Sequence, residues 1–295
     1  MITIIGVGPA GTQAAIHAAR SKVKVTIIGK HENSAMFGTH VENYFGVPGK
    51  ADGTGMLKTG LEQAVSFGAE HINENVVAMS RSANSFTVTT ENGSEISAEA
   101  VILASGISRK KLNIPGEKEF FGKGVSYCAA CDCNFYKGKR VAVIGDESEA
   151  AASAELMTSY ASHVFWVTKD TKASDMMVKK AKDAGVEIIS EKAVEIVGTD
   201  RVTKMMFTDS STINVDGVFI ELGARSSSDL AMDIDVTPNI DGTVNVNERC
   251  ETSVAGVYAC GDVTGRPWQI AKAVGQGAVA GMNASEYVKG VKNVR

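Results

Sequence analysis

The chain has 295 residues, of which 44% are hydrophobic, and it contains 30 glycines but only 5 prolines. This composition is typical of a soluble globular α/β protein with two ordinary domains, and it excludes a largely disordered chain. The net charge of −4 does not favour nucleic acid as a partner, because a nucleic-acid-binding protein presents a strongly basic face.

The N-terminus runs from Met1 directly into the apolar segment Ile2–Val7. Because no charged leader, long apolar stretch or cleavage site precedes it, we expect no signal peptide, no membrane span and a cytoplasmic location. The five cysteines are too few for a disulfide framework, and three of them fall within residues 128–133. Such crowding indicates that this segment is chemically active.

Two segments follow the same pattern of strand, tight turn and alanine-rich helix. In the first, Ile2–Ile5 leads into the turn GVGPAG at 6–11; in the second, Val141–Ile144 leads into GDESEA at 145–150. A second apolar strand is predicted after each helix, at Val23–Ile28 and Val164–Val167. The pattern predicts two tandem Rossmann-like nucleotide-binding units of the three-layer α/β class.

Further strands are predicted between and after these units, at Ser85–Thr90, Ala100–Ala104, Val194–Val197, Lys204–Thr208, Val215–Leu222 and Gly256–Ala259. A helix from about Ala271 to Val288 closes the chain. The turn Ile114–Glu117 is a candidate hinge, and we interpret the polar run Ala224–Asp229 as a crossing back to the first unit. The expected domains are therefore residues 1–114 with 226–295, and residues 115–225 inserted between them.

The first turn has the features of a dinucleotide site. Gly6, Gly8 and Gly11 permit a tight turn and a close backbone approach, while Pro9 and Ala10 open a helix whose N-terminus faces a phosphate. The alternative is a glycine-rich turn that binds nothing. Where many such folds have an acid for the ribose, this chain has Gly29 and Lys30, with Glu32 further on, so the ribose contact is open.

The pair Cys128-Ala-Ala-Cys131 is most simply a redox-active disulfide. At this spacing the first turn of a helix holds both sulfurs within bonding reach and lowers the pKa of a thiolate. Half of a zinc site and a pair of structural cysteines are the alternatives, but the chain has no second such pair. Asp132 is a candidate proton donor and acceptor, or alternatively an acid that satisfies a helix N-terminus. We expect Cys133, Cys250 and Cys260 to be inert.

With these motifs, the chain resembles the low-molecular-weight thioredoxin reductases over nearly its whole length. The motifs that carry the resemblance are Gly6–Gly11, Val41–Asn43, Phe67–Ala69, Ala104–Gly106, Ile114–Glu117, Cys128–Asp132 and Gly256–Val263. The resemblance implies a homodimer, and FAD bound by the N- and C-terminal thirds. It also implies two alternating domain orientations, with hinges near Pro115 and Ser226.

The resemblance assigns roles as well. It implies that Cys131 faces the isoalloxazine, that Cys128 attacks the disulfide of thioredoxin, and that Asp132 is the acid and base. Asp262 would contact the ribityl chain. The residues expected to bind the cofactor are Gly6, Gly8, Pro9, Ala10, Gly11, Lys30, Asn43, Val76, Ser105, Gly106, Gly261, Asp262, Gln269 and Ile270, the last two against the flavin ring.

The chain departs from this family where NADPH should bind. The second turn has Glu147 at the position of its second glycine, flanked by Asp146 and Glu149, so carboxylates replace the open backbone that a pyrophosphate requires. The family's histidine-arginine-arginine cluster is absent from Val167–Ser174, which has one acid and two lysines but no arginine. Both departures predict weak binding of NADPH.

An intact disulfide motif without a pyridine nucleotide site requires another electron source. We therefore expect the ferredoxin-linked branch of the family, with ferredoxin docking at Arg109–Lys111 or Lys137–Arg140. Trp268 would either cover the flavin or fill the core. The alternatives are a thioredoxin-reductase-like dithiol oxidase, a deazaflavin- or weakly NADPH-dependent reductase, and a non-catalytic redox sensor.

Overall fold

A computed structural model of the chain describes residues 1–83, 85–106, 111–127, 129–223, 227–239 and 241–293, with the backbone alone at 130, 131 and 291–293. The strands are β1 (Ile2–Ile5), β2 (Val25–Ile28), β3 (His40–Val41), β4 (Ala51–Asp52), β5 (Glu70–Ile72), β6 (Val76–Arg81), β7 (Phe86–Thr90), β8 (Glu95–Ala98), β9 (Ala100–Leu103), β10 (Val125–Ser126), β11 (Arg140–Ile144), β12 (His163–Val167), β13 (Glu187–Ile189), β14 (Ala193–Gly198), β15 (Val202–Phe207), β16 (Thr212–Asn214), β17 (Gly217–Ile220) and β18 (Val257–Ala259). The helices are α1 (Pro9–Arg20), α2 (Gly53–Ser66), α3 (Ala129–Asp132), α4 (Ser148–Thr158), α5 (Asp175–Asp183), α6 (Ser227–Met232) and α7 (Ile270–Asn293).

The chain forms two compact units. The first contains Met1–Thr90, Ser94–Ser108 and Ser226–Arg295, and the second contains Glu91–Gly93 and Arg109–Arg225. Each has a five-stranded parallel sheet, ordered β18-β9-β1-β2-β5 in the first unit and β10-β17-β11-β12-β13 in the second. Each also has a three-stranded antiparallel sheet. The repeated topology confirms the predicted fold class of tandem nucleotide-binding units.

The central strands are buried on both faces, which is why their sequences are continuously apolar. In β1, Ile2 and Ile4 join a core with Ala14 of α1, while Ile5 joins a second core with Leu230 of α6. The strand β11 divides in the same way, because Val143 and Ile144 belong to separate cores on opposite faces of the second sheet. Each parallel sheet is therefore covered on both sides, as this class of fold requires.

The polar run at 224–229, which we interpreted as a crossing back to the first unit, contains the start of a helix. A helix, α6, begins at Ser227, and residues 224–226 lie outside the described part of the chain. Ser227, Ser228 and Asp229 are buried in spite of their polarity, which apolar periodicity cannot predict. Ser227 accepts a hydrogen bond from the backbone N–H of Ser105, which is 2.9 Å away.

Other boundaries agree with the predicted ones to within a few residues, as expected for element ends. The last helix starts at Ile270 and continues to Asn293, five residues beyond the predicted end. The helices α2 and α5 were not predicted. Within the described ranges, no helix is both long enough and apolar enough to cross a membrane.

Candidate functional site

The glycines of the first turn have two different structural roles. Gly6 has a φ of +109°, and a Cβ there would lie 2.5 Å from the carbonyl oxygen of Ala104. A Cβ at Gly11 would lie 1.9 Å from the carbonyl oxygen of Gly6. At Gly8 the nearest neighbour would be Ser34 Oγ, at 3.5 Å. Gly6 and Gly11 therefore close the turn, while Gly8 leaves the backbone open to a ligand.

The helix that follows this turn is suited to an anion. Pro9 is its first residue, Gly8 precedes it without a side-chain cap, and its first turn contains no acid. Because the first N–H groups of a helix have no intrahelical partner and carry partial positive charge, this terminus favours a phosphate. The residues present therefore fit the diphosphate of a dinucleotide cofactor.

The C-terminal part of the first unit brings Asp262 to the same turn. The 3-10 helix Gly261–Thr264 follows β18, and a Cβ at Gly261 would lie 2.8 Å from the Cβ of Ala10. Burial raises the pKa of the half-buried Asp262, and the nearby Lys272 opposes that shift. The Lys272 ammonium donates to the carbonyl oxygens of Gly261 and Gly265, at 3.0 and 2.5 Å.

A second group of predicted residues meets at the start of α7. The Asn43 amide donates to Gln269 Oε1 at 3.1 Å, although 226 positions separate the two residues. Ile270 packs against a small apolar cluster that includes Met36 and Leu57. The structure therefore brings Asn43, Gln269 and Ile270 together, as a site for one ligand requires.

The remaining predicted cofactor residues are also in the first unit. Ser105 Oγ lies 2.6 Å from Ser227 Oγ, and Gly106 follows with a φ of +73°. Lys30 precedes the 3-10 helix His31–Asn33, while Val76 is 5% exposed in β6. These four residues are placed by the structure, and their contact with FAD stays a prediction.

The redox segment leads from β10 into the short helix α3. Cys128 and the Cys131 side chain lie outside the described residues, so the bonding of the pair stays a prediction. The backbone N–H of Ala129 donates to Glu221 Oε1 at 2.9 Å. Asp132 ends α3 and provides no side-chain cap for the following 3-10 helix, Cys133–Tyr136.

Glu221 is the residue that sequence reasoning missed. It directly follows β17, whose four residues are buried, and its own exposure is 7%. It lies within the predicted strand Val215–Leu222. The available signal was an acid at the end of an otherwise apolar segment, since burial of a carboxylate requires hydrogen-bonding partners.

The second nucleotide-like turn is as tight as the first, but acidic residues surround it. A Cβ at Gly145 would lie 2.0 Å from the carbonyl oxygen of Glu221, so the turn is closed as in the first unit. Glu147 precedes α4 in an extended conformation without capping it, and Glu149 is buried in the first turn. Ser148 Oγ donates to the buried carboxylate of Glu91, which belongs to this unit.

Lys172, one of the two lysines of Val167–Ser174, forms an ion pair with an acid of the second turn. The Lys172 ammonium lies 2.8 Å from Asp146 Oδ2, and this hydrogen bond raises the pKa of Lys172. Lys172 therefore offsets one of the acidic charges at the turn. Glu147 and Glu149 still place carboxylates at the start of α4.

Trp268 and the remaining cysteines are also placed by the structure. Trp268 is 49% exposed, and the Arg266 guanidinium lies 4.6 Å from the centre of its ring. Of its two alternative roles, filling the core is contradicted by this exposure, while covering the flavin stays a prediction. Cys133, Cys250 and Cys260 are buried and take no part in a disulfide among the described residues, and burial raises the pKa of the Cys250 thiol to about 11. Within the described ranges, no group of three His, Cys, Asp or Glu residues could hold a metal ion.

Comparison with known proteins agrees with this geometry. The family of pyridine nucleotide-disulphide oxidoreductases matches residues 1–277. A thioredoxin reductase of Aquifex aeolicus (strain VF5) is 36% identical, over 99% of this chain and 94% of that protein. The atypical thioredoxin reductase from Desulfovibrio vulgaris Hildenborough is 34% identical, with a TM-score of 0.82 over 98% of both chains. A ferredoxin-flavin thioredoxin reductase from Clostridium acetobutylicum is 33% identical, with a TM-score of 0.67 over 98% of both chains.

The family match extends through the glycine turn, the cysteine segment and the turn that carries Asp262. The chain is thus an oxidoreductase that acts on a sulfur group and uses FAD. The turn of the first unit fits a dinucleotide, whereas acidic residues line the corresponding turn of the second unit. On sequence, fold and site together, the chain belongs to the pyridine nucleotide-disulphide oxidoreductase family.

Proposed function

We propose that the chain reduces the disulfide of thioredoxin, or of a thioredoxin-like protein, through FAD and the pair Cys128/Cys131. We further propose that the electrons come from ferredoxin and not from NADPH. The Clostridium acetobutylicum relative, a ferredoxin-flavin thioredoxin reductase by name, supports this donor. The active form is proposed to be a homodimer in the cytoplasm.

The observation that carries the donor proposal is the contrast between α1 and α4. The first turn of α1 contains no acid, whereas α4 has Glu147 before it and Glu149 within its first turn. A carboxylate and a phosphate about 5 Å apart repel by roughly 3 kcal/mol at an effective dielectric constant of about 20. Each such pair would weaken pyrophosphate binding by roughly a hundredfold.

The cysteine chemistry follows from the proposed roles. The Cys128 thiolate attacks the disulfide of the partner, which forms a mixed disulfide and releases one partner thiol. The Cys131 thiolate then displaces the second partner thiol, so that the Cys128–Cys131 disulfide forms again. Asp132 is proposed to move protons between these sulfurs and solvent. When bound, FAD supplies the electrons that return the pair to the dithiol.

The first unit holds the cofactor in this proposal. The open backbone at Gly8 and the N-terminus of α1 would bind the diphosphate. Asp262 would bind the ribityl chain, and Gln269 with Ile270 would contact the flavin ring. Asn43 fixes Gln269 through their hydrogen bond and so orients the residue that faces the ring.

The proposed ferredoxin surface is narrower than the sequence suggested. Lys139 lies 5.3 Å from the centre of the Tyr136 ring, and the Arg140 guanidinium lies 5.2 Å from that of Phe165. Arg140 also donates to the carbonyl oxygen of Asn214 at 3.0 Å. Lys137 and Lys111 are exposed, while Arg109 and Lys110 lie outside the described residues. Lys111, Lys137 and Arg140 are therefore the exposed described residues of the proposed docking surface.

Anaerobic titration of the FAD-loaded protein tests the donor. We expect reduced ferredoxin to bleach the flavin absorbance and thioredoxin to be reduced afterwards, while micromolar NADPH leaves the flavin oxidised. Rapid bleaching by NADPH would contradict the proposed donor. Oxygen consumption with small dithiols, without transfer to thioredoxin, would instead identify a dithiol oxidase, and bleaching only by a reduced deazaflavin would identify that donor.

The variant Cys131→Ser tests the redox pair. We expect it to retain FAD, because the predicted cofactor residues are in the first unit, and to lose thioredoxin reduction by at least a thousandfold. Cys133→Ser is the matched control, since Cys133 is a buried cysteine of the same segment that is expected to be inert, and it should keep most of the activity. Full activity of Cys131→Ser would remove the pair from the mechanism.

A further inference from the structure

One buried carboxylate contacts the backbone of the redox segment. Glu221 Oε1 accepts a hydrogen bond from the N–H of Ala129 at 2.9 Å. This N–H belongs to the peptide bond that joins Cys128 to Ala129. Because Glu221 is only 7% exposed, solvent screens its charge weakly.

The fold holds Glu221 in this position through two neighbouring strands. β10 and β17 are parallel, so α3 follows β10 at the same edge of the sheet at which Glu221 follows β17. The N–H of Glu221 donates to the carbonyl oxygen of Ile144 at 2.8 Å. Gly145 allows the close approach, because a Cβ there would meet the carbonyl oxygen of Glu221. The carboxylate is thus attached to a fixed backbone.

Two physical effects of this carboxylate act in the same direction. Its negative charge raises the energy of a thiolate on the adjacent cysteine. It also engages the Ala129 N–H, which would otherwise be available to stabilise that thiolate. Both effects destabilise the reduced pair relative to the uncharged disulfide, and a less stable reduced form means a lower reduction potential.

We propose that Glu221 is a positioning residue that makes the Cys128/Cys131 dithiol a stronger reductant. The carboxylate fixes the first residue of α3 and disfavours the thiolate form. This inference rests on the proposed function, in which the two cysteines form the redox pair. A stronger reductant suits an enzyme that delivers electrons to a protein disulfide.

Redox equilibration of the FAD-loaded protein tests the proposal. The protein is incubated anaerobically at pH 8 with different ratios of reduced to oxidised dithiothreitol, then acidified and alkylated, and the labelled peptides are quantified by mass. In the exchange, the protein disulfide becomes a dithiol while one dithiothreitol dithiol becomes its cyclic disulfide. Glu221→Gln keeps the size and an acceptor oxygen but loses the charge. We expect its equilibrium constant for reduction to rise at least tenfold, or about 30 mV.

A control separates this effect from the loss of any carboxylate that accepts a backbone hydrogen bond. Asp233 accepts a hydrogen bond from the backbone N–H of Met79 at 2.9 Å, in the first unit. Asp233→Asn should change the equilibrium constant by less than threefold. A constant for Glu221→Gln within threefold of the wild type, or an equal rise in Asp233→Asn, would overturn the proposal.

A measurement on the wild type keeps the proposal testable if Glu221→Gln does not fold. The first N–H groups of a helix have no intrahelical acceptor, so slow hydrogen exchange at Ala129 reports its contact with Glu221. Exchange at the rate of an unprotected amide would overturn the inference. If the wild-type cysteines do not titrate as a two-electron pair, the proposed function fails as well. If they do titrate as a pair and Glu221→Gln has the wild-type equilibrium constant, only the role of Glu221 fails.

Discussion

Lys272 connects the turn that carries Asp262 to the last helix. Its ammonium donates to Gly261 and Gly265, and burial lowers its pKa while Asp262 opposes that shift. Lys272→Met removes two hydrogen bonds that a charged donor makes, each worth about 1.5–3 kcal/mol, so we expect the Kd for FAD to rise at least tenfold. Fluorescence titration of the apoprotein measures it, with the exposed Lys289→Met on the same helix as control. Equal affinities in both variants would contradict a role for Lys272 in shaping the turn.

Two partly buried histidines make stability depend on pH. Burial lowers the pKa of His17 and of His31, with further lowering from Arg20 for the first. The unfolded chain therefore binds more protons than the folded protein below about pH 6.5, so stability falls as the pH decreases. We expect a lower urea midpoint at pH 5.5 than at pH 7.5, and a smaller difference in the double variant His17→Gln/His31→Gln. An identical difference in wild type and variant would rule out these histidines as the cause.

At the scale of elements, the contact between α1 and α7 depends on glycines. A Cβ at Gly277 would lie 2.2 Å from the carbonyl oxygen of Ala10, whereas a Cβ at Gly290 of the same helix meets no atom within 4 Å. Gly277→Ala should destabilise the protein by about 1–3 kcal/mol, as overpacking does, and weaken FAD binding through Ala10. Gly290→Ala should stabilise it by about 0.5–1 kcal/mol. Urea unfolding measures the stability of both variants. A Gly277→Ala variant as stable as the wild type would show that α7 shifts without loss of stability.

The elements that the sequence predicted best are those whose local residue pattern is compatible with only one kind of secondary structure. β1, β9, β11 and β17 are short apolar runs that precede turns, and both parallel sheets formed as expected. The helix α6 was missed because its buried serines and Asp229 look like a polar loop. Their burial depends on partners far along the chain, such as Ser105, which is 122 positions from Ser227.

Prediction of the candidate functional site has the same limit, because contacts between distant parts of the chain are not visible in the sequence. The glycine turn was predicted because backbone geometry restricts its positions to particular residue types, whereas the residues around Asp262 were expected only from the family resemblance. The Ala129–Glu221 contact was not predicted, since 92 positions separate the partners and only the pairing of β10 with β17 brings them together. The Asp146–Lys172 pair was likewise read as two separate charges, because their contact depends on the course of the loop after β12.

At the scale of the whole molecule, the second unit is an insertion whose ends can be joined. Ser105 and Ser227, on either side of it, are hydrogen-bonded to each other within the first unit. We expect a variant in which a short glycine-serine linker replaces residues 109–225 to fold and bind FAD, without disulfide activity. Comigration of flavin absorbance with the protein in gel filtration would support this. Elution of free flavin from a folded variant would contradict it.

The approach of α7 to α1 has a consequence for the order of synthesis. Gly277 and Gly281 let the last helix lie against Ala10 and Ala14, so the first unit needs residues from both ends of the chain. Most of the second unit is contiguous and leaves the ribosome earlier. Because domains fold as units during translation, we expect the inserted unit to mature first. The cofactor would then be captured only once α7 has left the ribosome.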